Sequence, residues 1–231
     1  MKSFFTADWH YYHGNIMKYC NRVMFMTPDE AGILASGDRD AIRSLRISDE
    51  SVGRMTAAFT STINAQAEPD DKIYMLGDWI WRNADAKKLR DSLRCRNIYF
   101  IIGNHDRINI GLFSPLPEVD YDPPYTSVTV KVNGQAIALS HTAQAVWDMQ
   151  HYGAWHLYGH SHGTVEKWLD EAMPGRYSMD VGIDNAFNLT GEYRMFEFDE
   201  IKKIFSTRPG FGVIRKPGEE WVYDRPRQVD T

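Results

Sequence analysis

The hydrophobic pattern of the chain changes period several times. Short runs of apolar, β-branched and aromatic residues stop abruptly at polar ones, and each reads as a buried strand. Such runs fall at Lys2–Ala7, Lys72–Leu76, Ile98–Ile102, His156–Tyr158 and Tyr177–Val181. Ser127–Val132 and Gln135–Ser140 flank Asn133-Gly134, the dipeptide of a two-residue hairpin turn. Between strands the period lengthens. Val52, Met55, Phe59 and Ile63 recur at helical spacing, which predicts an amphipathic helix over Ser48–Ala65. Ser48 is its expected N-cap, with Asp49 and Glu50 at the positive end of the dipole. Shorter helices are predicted at Asn15–Cys20 and Asn83–Leu93. Arg194–Phe198 is expected to close a sheet edge, and Asp199 to cap a helix through Phe205. Residues 27–47 are polar, contain Pro28, Gly32 and Gly37, and show no clean period, so they read as an irregular insertion. The alternation of strands with helices predicts one α/β domain over 1–205, followed by an extended tail over 206–231.

Composition narrows the setting. With 231 residues, 43% hydrophobic and 25% charged, the chain can bury a full globular core. No apolar run approaches the roughly 20 residues that span a bilayer. The opening MKSFFTAD has no apolar h-region and no cleavage site. A cytoplasmic protein with no membrane partner is expected. Cys20 and Cys95 stand far apart and read as two reduced thiols. The net charge of −5 disfavours long nucleic acid, which is normally gripped through a basic face. The oligomeric state is not legible.

The candidate chemistry lies where the strands stop. Asp8-Trp9-His10 follows the first strand, and its period of two places both ligand-type side chains on one side of extended backbone. Gly77-Asp78 follows the second, Gly103-Asn104-His105-Asp106 the third, Ser140-His141 the second hairpin strand, and Gly159-His160-Ser161-His162-Gly163 the next. Each has an ordinary reading: a solvated turn at Asp8, a plain Gly-Asp turn at Asp78, a hydrogen-bonded structural histidine at His141. His13 reads first as a helix cap or a solvent-facing residue, with a substrate contact as the alternative. Five separate strands ending in Asp, Asn or His are harder to explain that way. Asp8, His10, Asp78, Asn104, His141, His160 and His162 offer too many imidazoles for magnesium or calcium, which prefer oxygen. The mixture suits manganese, iron, zinc or nickel, and seven groups exceed one tetrahedral site. Two ions sharing a carboxylate are expected.

The ordered set Asp8-x-His10, Gly77-Asp78, Gly103-Asn104-His105-Asp106, His141 and Gly159-His160-x-His162 resembles the calcineurin-like metallophosphoesterases over residues 1 to 165. Softer similarity, through Asp8–Arg22 and Met179–Asn185, points to a small prokaryotic and phage-type subgroup. The resemblance implies a four-layer αββα sandwich of two mixed β-sheets with flanking helices. It implies that Asp8, His10 and His162 hold one ion, that Asn104, His141 and His160 hold the other, and that Asp78 bridges them, manganese being the metal first expected. A bridging hydroxide would attack phosphorus, and His105 would protonate the leaving group or stabilise the transition state. The expected substrate is a phosphodiester of a nucleotide or small nucleic-acid end. A phosphomonoesterase and a non-catalytic scaffold are the alternatives. One position departs from the family pattern: the Asp that often follows the bridging Asp by three residues is Trp81 here, followed by Arg82. Arg82, whose planar fork suits phosphate, is a candidate substrate contact beside His13.

Overall fold

A computed structural model describes residues 1–81, 85–107, 110–117, 119–120 and 123–209. Arg82 and the tail beyond residue 209 lie outside the described residues. The strands are β1 (Ser3–Thr6), β2 (Lys72–Leu76), β3 (Asn97–Ile101), β4 (Ser127–Val132), β5 (Gln135–Ser140), β6 (Trp155–Tyr158), β7 (Ser178–Asp180) and β8 (Phe196–Glu197). They form two four-stranded mixed sheets, ordered β3-β2-β1-β8 and β4-β5-β6-β7. In the first, β1, β2 and β3 are parallel and β8 closes the edge antiparallel to β1. In the second, the β4–β5 hairpin is antiparallel, and β5, β6 and β7 are parallel.

Side-chain alternation sorts each strand between two cores. Phe5, Tyr74, Leu76, Tyr99 and Ile101 of the first sheet meet Val130, Ile137, Leu139, Trp155 and Leu157 of the second, and this apolar layer joins the sheets. Their neighbours Phe4, Ile73, Met75, Ile98 and Phe100 point the other way, onto Val52, Met55, Phe59 and Ile63 of α4 (Asp49–Gln66). Helix α4 therefore runs as its period predicted, capped by Ser48, whose side chain accepts from the Ser51 amide. The preceding helix α1 (Ile16–Tyr19) is shorter than expected, and the following α5 (Ala86–Ser92) ends one residue before the expected Leu93, with Asn83 and Ala84 of that expectation lying outside the described residues. The outer face of the second sheet carries Ala138 against Trp147 and Ala154. Helix α6 (Glu166–Ala172) reaches that face through Glu166, which accepts from the Tyr158 hydroxyl and from Arg176. Among the described residues no helix is long and apolar enough to cross a membrane.

The segment 27–47 is not irregular. It holds α2 (Pro28–Ala35) and α3 (Arg39–Ser44). Pro28 starts α2, where its missing N–H is no loss, and Thr27 and Glu30 form a capping box. Asp38 caps α3. The apolar period is weak because these helices are held by polar contacts. Glu30 is buried and accepts from the Ser48 amide and the Ser51 hydroxyl, which pins α2 to the start of α4. The C-terminal helix α8 (Phe198–Ser206) begins from Glu197, so Asp199 lies inside its first turn and does not cap it. The last helix before it, α7 (Ile183–Thr190), follows directly on β7.

His156 is buried within the second sheet. Its Nε2 lies 2.9 Å from Ser140 Oγ and its Nδ1 2.9 Å from Ser178 Oγ, so it ties β5, β6 and β7 together. Ser140 Oγ donates to the Thr142 carbonyl, which leaves it an acceptor and places the imidazole proton on Nε2. Burial, then the nearby Arg176, lower the His156 pKa to about 3. The unfolded chain takes up this proton below its ordinary value of 6.5 while the folded protein does not, so stability is lost as pH falls from 6.5 toward 3. Between pH 6.5 and pH 5 the loss through this group is about 2 kcal/mol. Denaturant unfolding at the two pH values is expected to show a smaller pH-dependent loss in His156→Gln than in the wild type. An identical slope would mean that the neutral imidazole is not what acid disrupts.

Candidate metal centre

Because β1, β2 and β3 run one way, as do β5, β6 and β7, each set delivers its carboxyl ends to one edge. All seven ligand candidates sit on those ends, and the fold brings them together. Asp8, His10 and His162 each offer an atom within 4.8 Å of the others, as do Asp78, His141 and His160. Asp78 Oδ2 stands between the groups, 3.6 Å from His10 Nε2 and 3.4 Å from His141 Nε2. Asn104 joins the second group, its Oδ1 3.0 Å from His141 Nε2. His105 follows it, exposed, with its ring centroid 5.7 Å from that of His10.

The backbone is bent to make this possible. Asp8, His10, Asp78, His160 and His162 all have φ between +50° and +69°. Non-glycine residues visit that region rarely, and such strain gathers at functional sites when the surroundings enforce it. The surroundings are visible here. Asp8 N donates to the Gly77 carbonyl and His10 N to the Asp78 carbonyl. Gly77 has φ +88°, and a Cβ there would lie 2.5 Å from His141 Nδ1. Gly182 is equally confined, since a Cβ would lie 2.6 Å from Asp8 Oδ2. Glycine lets the two sheets bring their loops into backbone contact.

Hydrogen bonds then fix the ring nitrogens. His141 Nδ1 donates to the Leu76 carbonyl at 2.8 Å, so in the neutral ring Nε2 carries a lone pair. Nε2 faces Asn104 Oδ1 and Asp78 Oδ2; burial opposes a charge on the ring, but Asp78 outweighs it and raises the His141 pKa. His162 Nδ1 lies 2.6 Å from Asp184 Oδ2 and donates to it, which in the neutral ring leaves the lone pair on Nε2. Asp8 Oδ1 and His10 Nε2 are buried and have no hydrogen-bond partner among the described residues.

Burial, followed by the carboxylates of Asp180 and Asp78, pushes the Asp8 pKa well above the usual carboxyl range. Burial, then Arg22, lowers His10 to about 2, so its imidazole is neutral. Burial also works against ionised Asp78, but His141 and the His105 amide outweigh it and hold Asp78 at about 2.

Several supporting residues carry no recognisable motif. Arg22 is fully buried and forms a two-pronged pair with Asp184, Nε to Oδ1 at 2.9 Å and Nη2 to Oδ2 at 2.7 Å. It also donates to the carbonyls of Asp8 and Trp9, and so braces the strained turn that presents Asp8. Asp180 accepts from Ser161 Oγ and the amides of Gly163 and Gly182, which fastens the loop bearing His160 and His162. Asp106 accepts from the amides of Gly103, Asp78 and Trp79. Its carboxylate is thus committed to backbone and does not orient His105. Arg22 and Asp184 lie inside the softer stretches Asp8–Arg22 and Met179–Asn185, which was the available signal for them.

The aromatics near the motifs divide. Trp9, Tyr11 and Trp79 are wholly buried core residues. Trp81 stays half exposed, and His13 lies flat on it with centroids 3.9 Å apart and planes within 6°. His13 is not a helix cap: α1 is preceded by Asn15. It lines the same cleft as His10, Asp78, His105, His160 and His162. Cys20 reaches the cleft too, its Sγ 3.3 Å from His162 Nδ1. Burial, then Asp184, push its pKa up to about 12, so it is a thiol.

The molecule is a mixed α/β sandwich with a histidine- and aspartate-lined cleft at the strand ends. No protein-family model matches the chain. It is similar to the uncharacterized protein MJ1445 of Methanocaldococcus jannaschii, 26% identical over 185 residues that cover 79% of this chain and 82% of the relative. Its fold is similar to that in the crystal structure of AQ665, a protein of unknown function from Aquifex aeolicus. The TM-score is 0.57 at 16% identity, covering 88% of this chain and 98% of the other.

Arg22→Leu is expected to destabilise the fold by about 3–5 kcal/mol in equilibrium unfolding, because it leaves a buried carboxylate without its partner. A change below about 1 kcal/mol would mean that Asp184 is not held by this pair.

Proposed function

We propose that the protein is a dinuclear metal-dependent phosphoesterase of the calcineurin-like type, acting on a phosphodiester. The observation that carries the reading is the unpartnered pair Asp8 Oδ1 and His10 Nε2, buried beside His162. Buried polar atoms are nearly always satisfied, and two aimed at one point fit a cation. A second group adjoins it, with His141 Nε2 3.0 Å from Asn104 Oδ1 and 3.4 Å from Asp78 Oδ2. The donor set is imidazole, carboxylate and amide, which suits manganese before calcium or magnesium.

In this reading Asp8, His10 and His162 would hold one ion, Asn104, His141 and His160 the other, and Asp78 would serve both. Such a pair supplies Lewis acidity toward a phosphoryl oxygen and makes water acidic enough to serve as nucleophile near neutral pH. The protein residues do the rest. Asp184 sets the His162 tautomer, and the Leu76 carbonyl sets that of His141. His105, left over from the ligand set and exposed to the cleft, donates a proton to the departing oxygen. Among the described residues no carboxylate bonds its ring, which favours diesters with good leaving groups, whose departure needs less acid assistance. The free thiols Cys20 and Cys95 fit a cytoplasmic enzyme.

Hydrolysis of bis-p-nitrophenyl phosphate is expected with added manganese and is expected to cease on chelation. Activity that survives full chelation, or no turnover with any divalent metal, would contradict the proposal. His105→Ala is expected to retain bound metal while kcat falls by about 10²–10⁴. Unchanged kcat would remove the proton-donor role.

A further inference from the structure

The cleft is larger than a phosphoryl group requires. Its volume is about 730 Å³, within the span of small-molecule sites. Two aromatic side chains on its lining remain in water, Trp81 at 47% exposure and Tyr19 at 73%. Core packing accounts for Trp9, Tyr11 and Trp79, but not for these two. Trp81 is also held in place, because the His13 ring covers it at 3.9 Å. A flat, pre-positioned aromatic surface binds a planar partner with little loss of side-chain freedom. Ile16 and Val165 extend the apolar lining, while Asn15 and Thr164 offer polar edges. Among the described residues no lysine or arginine lines the cleft. Proteins that track a nucleic-acid strand need a basic groove for its phosphates, and this chain has a net charge of −5.

We propose that the site takes a phosphate ester of mononucleotide size, with its heteroaromatic ring stacked on Trp81 and in contact with Tyr19, and that it does not take a polynucleotide. The placement of the phosphate at the metal centre rests on the phosphoesterase reading; the stacking rests on Trp81, His13 and Tyr19.

Adenosine 5′-monophosphate and ribose 5-phosphate share a sugar and a phosphate and differ by the base, so calorimetric titration of the manganese-loaded protein with each isolates the stacking. The nucleotide is expected to bind about tenfold more tightly. That ratio is expected to fall to about one in Trp81→Ala and to persist in Trp81→Phe. Any displacement of His13 would weaken both ligands alike and leave the ratio unchanged. Equal affinities in the wild type, or a preference that survives Trp81→Ala, would overturn the stacking. An oligonucleotide that binds more tightly than the mononucleotide, with steep salt dependence, would overturn the size limit. Turnover of bis-p-nitrophenyl phosphate by the same preparation separates the two readings. Turnover with equal affinities removes only the stacking, and base preference without turnover removes only the catalysis.

Discussion

Four carboxylates, those of Asp8, Asp78, Asp180 and Asp184, are buried where the two sheets meet at their strand ends. Among the described residues Arg22 is the one arginine or lysine bonded to any of them. The imidazoles around them balance the charge only in part: His10 is held neutral, while burial opposes a charge on His141 but Asp78 raises its pKa. Gathering uncompensated carboxylates away from water is expensive unless a cation or a proton joins them. Burial, followed by the carboxylates of Asp180 and Asp78, raises the Asp8 pKa and shows that cost. The rest of the site follows from this imbalance.

The fold produces the imbalance through its topology. Parallel strands put all their carboxyl ends on one side, and two such sheets packed face to face double the number of loops that meet there. The loops would collide if Gly77 or Gly182 carried side chains. Their backbones bond directly, as at Asp8 N to the Gly77 carbonyl, and this holds five ligand candidates at positive φ. The buried Arg22–Asp184 pair is part of the same construction. It reaches the Asp8 carbonyl on one side and the His162 ring on the other, so one guanidinium steadies two ligand candidates from different sheets.

Much of this was legible in the sequence because both signals are local. β2, β4 and β5 match the apolar runs residue for residue, and α4 matches its period within a residue at each end. Seven polar residues at five strand ends could be gathered by their order along the chain, and the fold does place them in two adjoining groups. What escaped has a different physical basis. α2 and α3 are stabilised by caps and by the buried Glu30 carboxylate, which leave no apolar period to read. Arg22 and Asp184 act through a pairing 162 positions apart, invisible without a register between the sheets. Asp106 directly follows His105 in the sequence, yet its oxygens are taken by three amides, a choice that only loop geometry decides. The exposure of Trp81 beside buried Trp9 and Trp79 likewise depends on which way each loop turns.

The central claim is that two cations share the Asp78 carboxylate. Electron paramagnetic resonance of the protein titrated with manganese addresses it without reference to any substrate. With two equivalents bound, the spectrum is expected to show a spin-coupled pair, and Asp78→Asn is expected to abolish the coupling. A spectrum of isolated manganese ions at every stoichiometry would contradict a shared site.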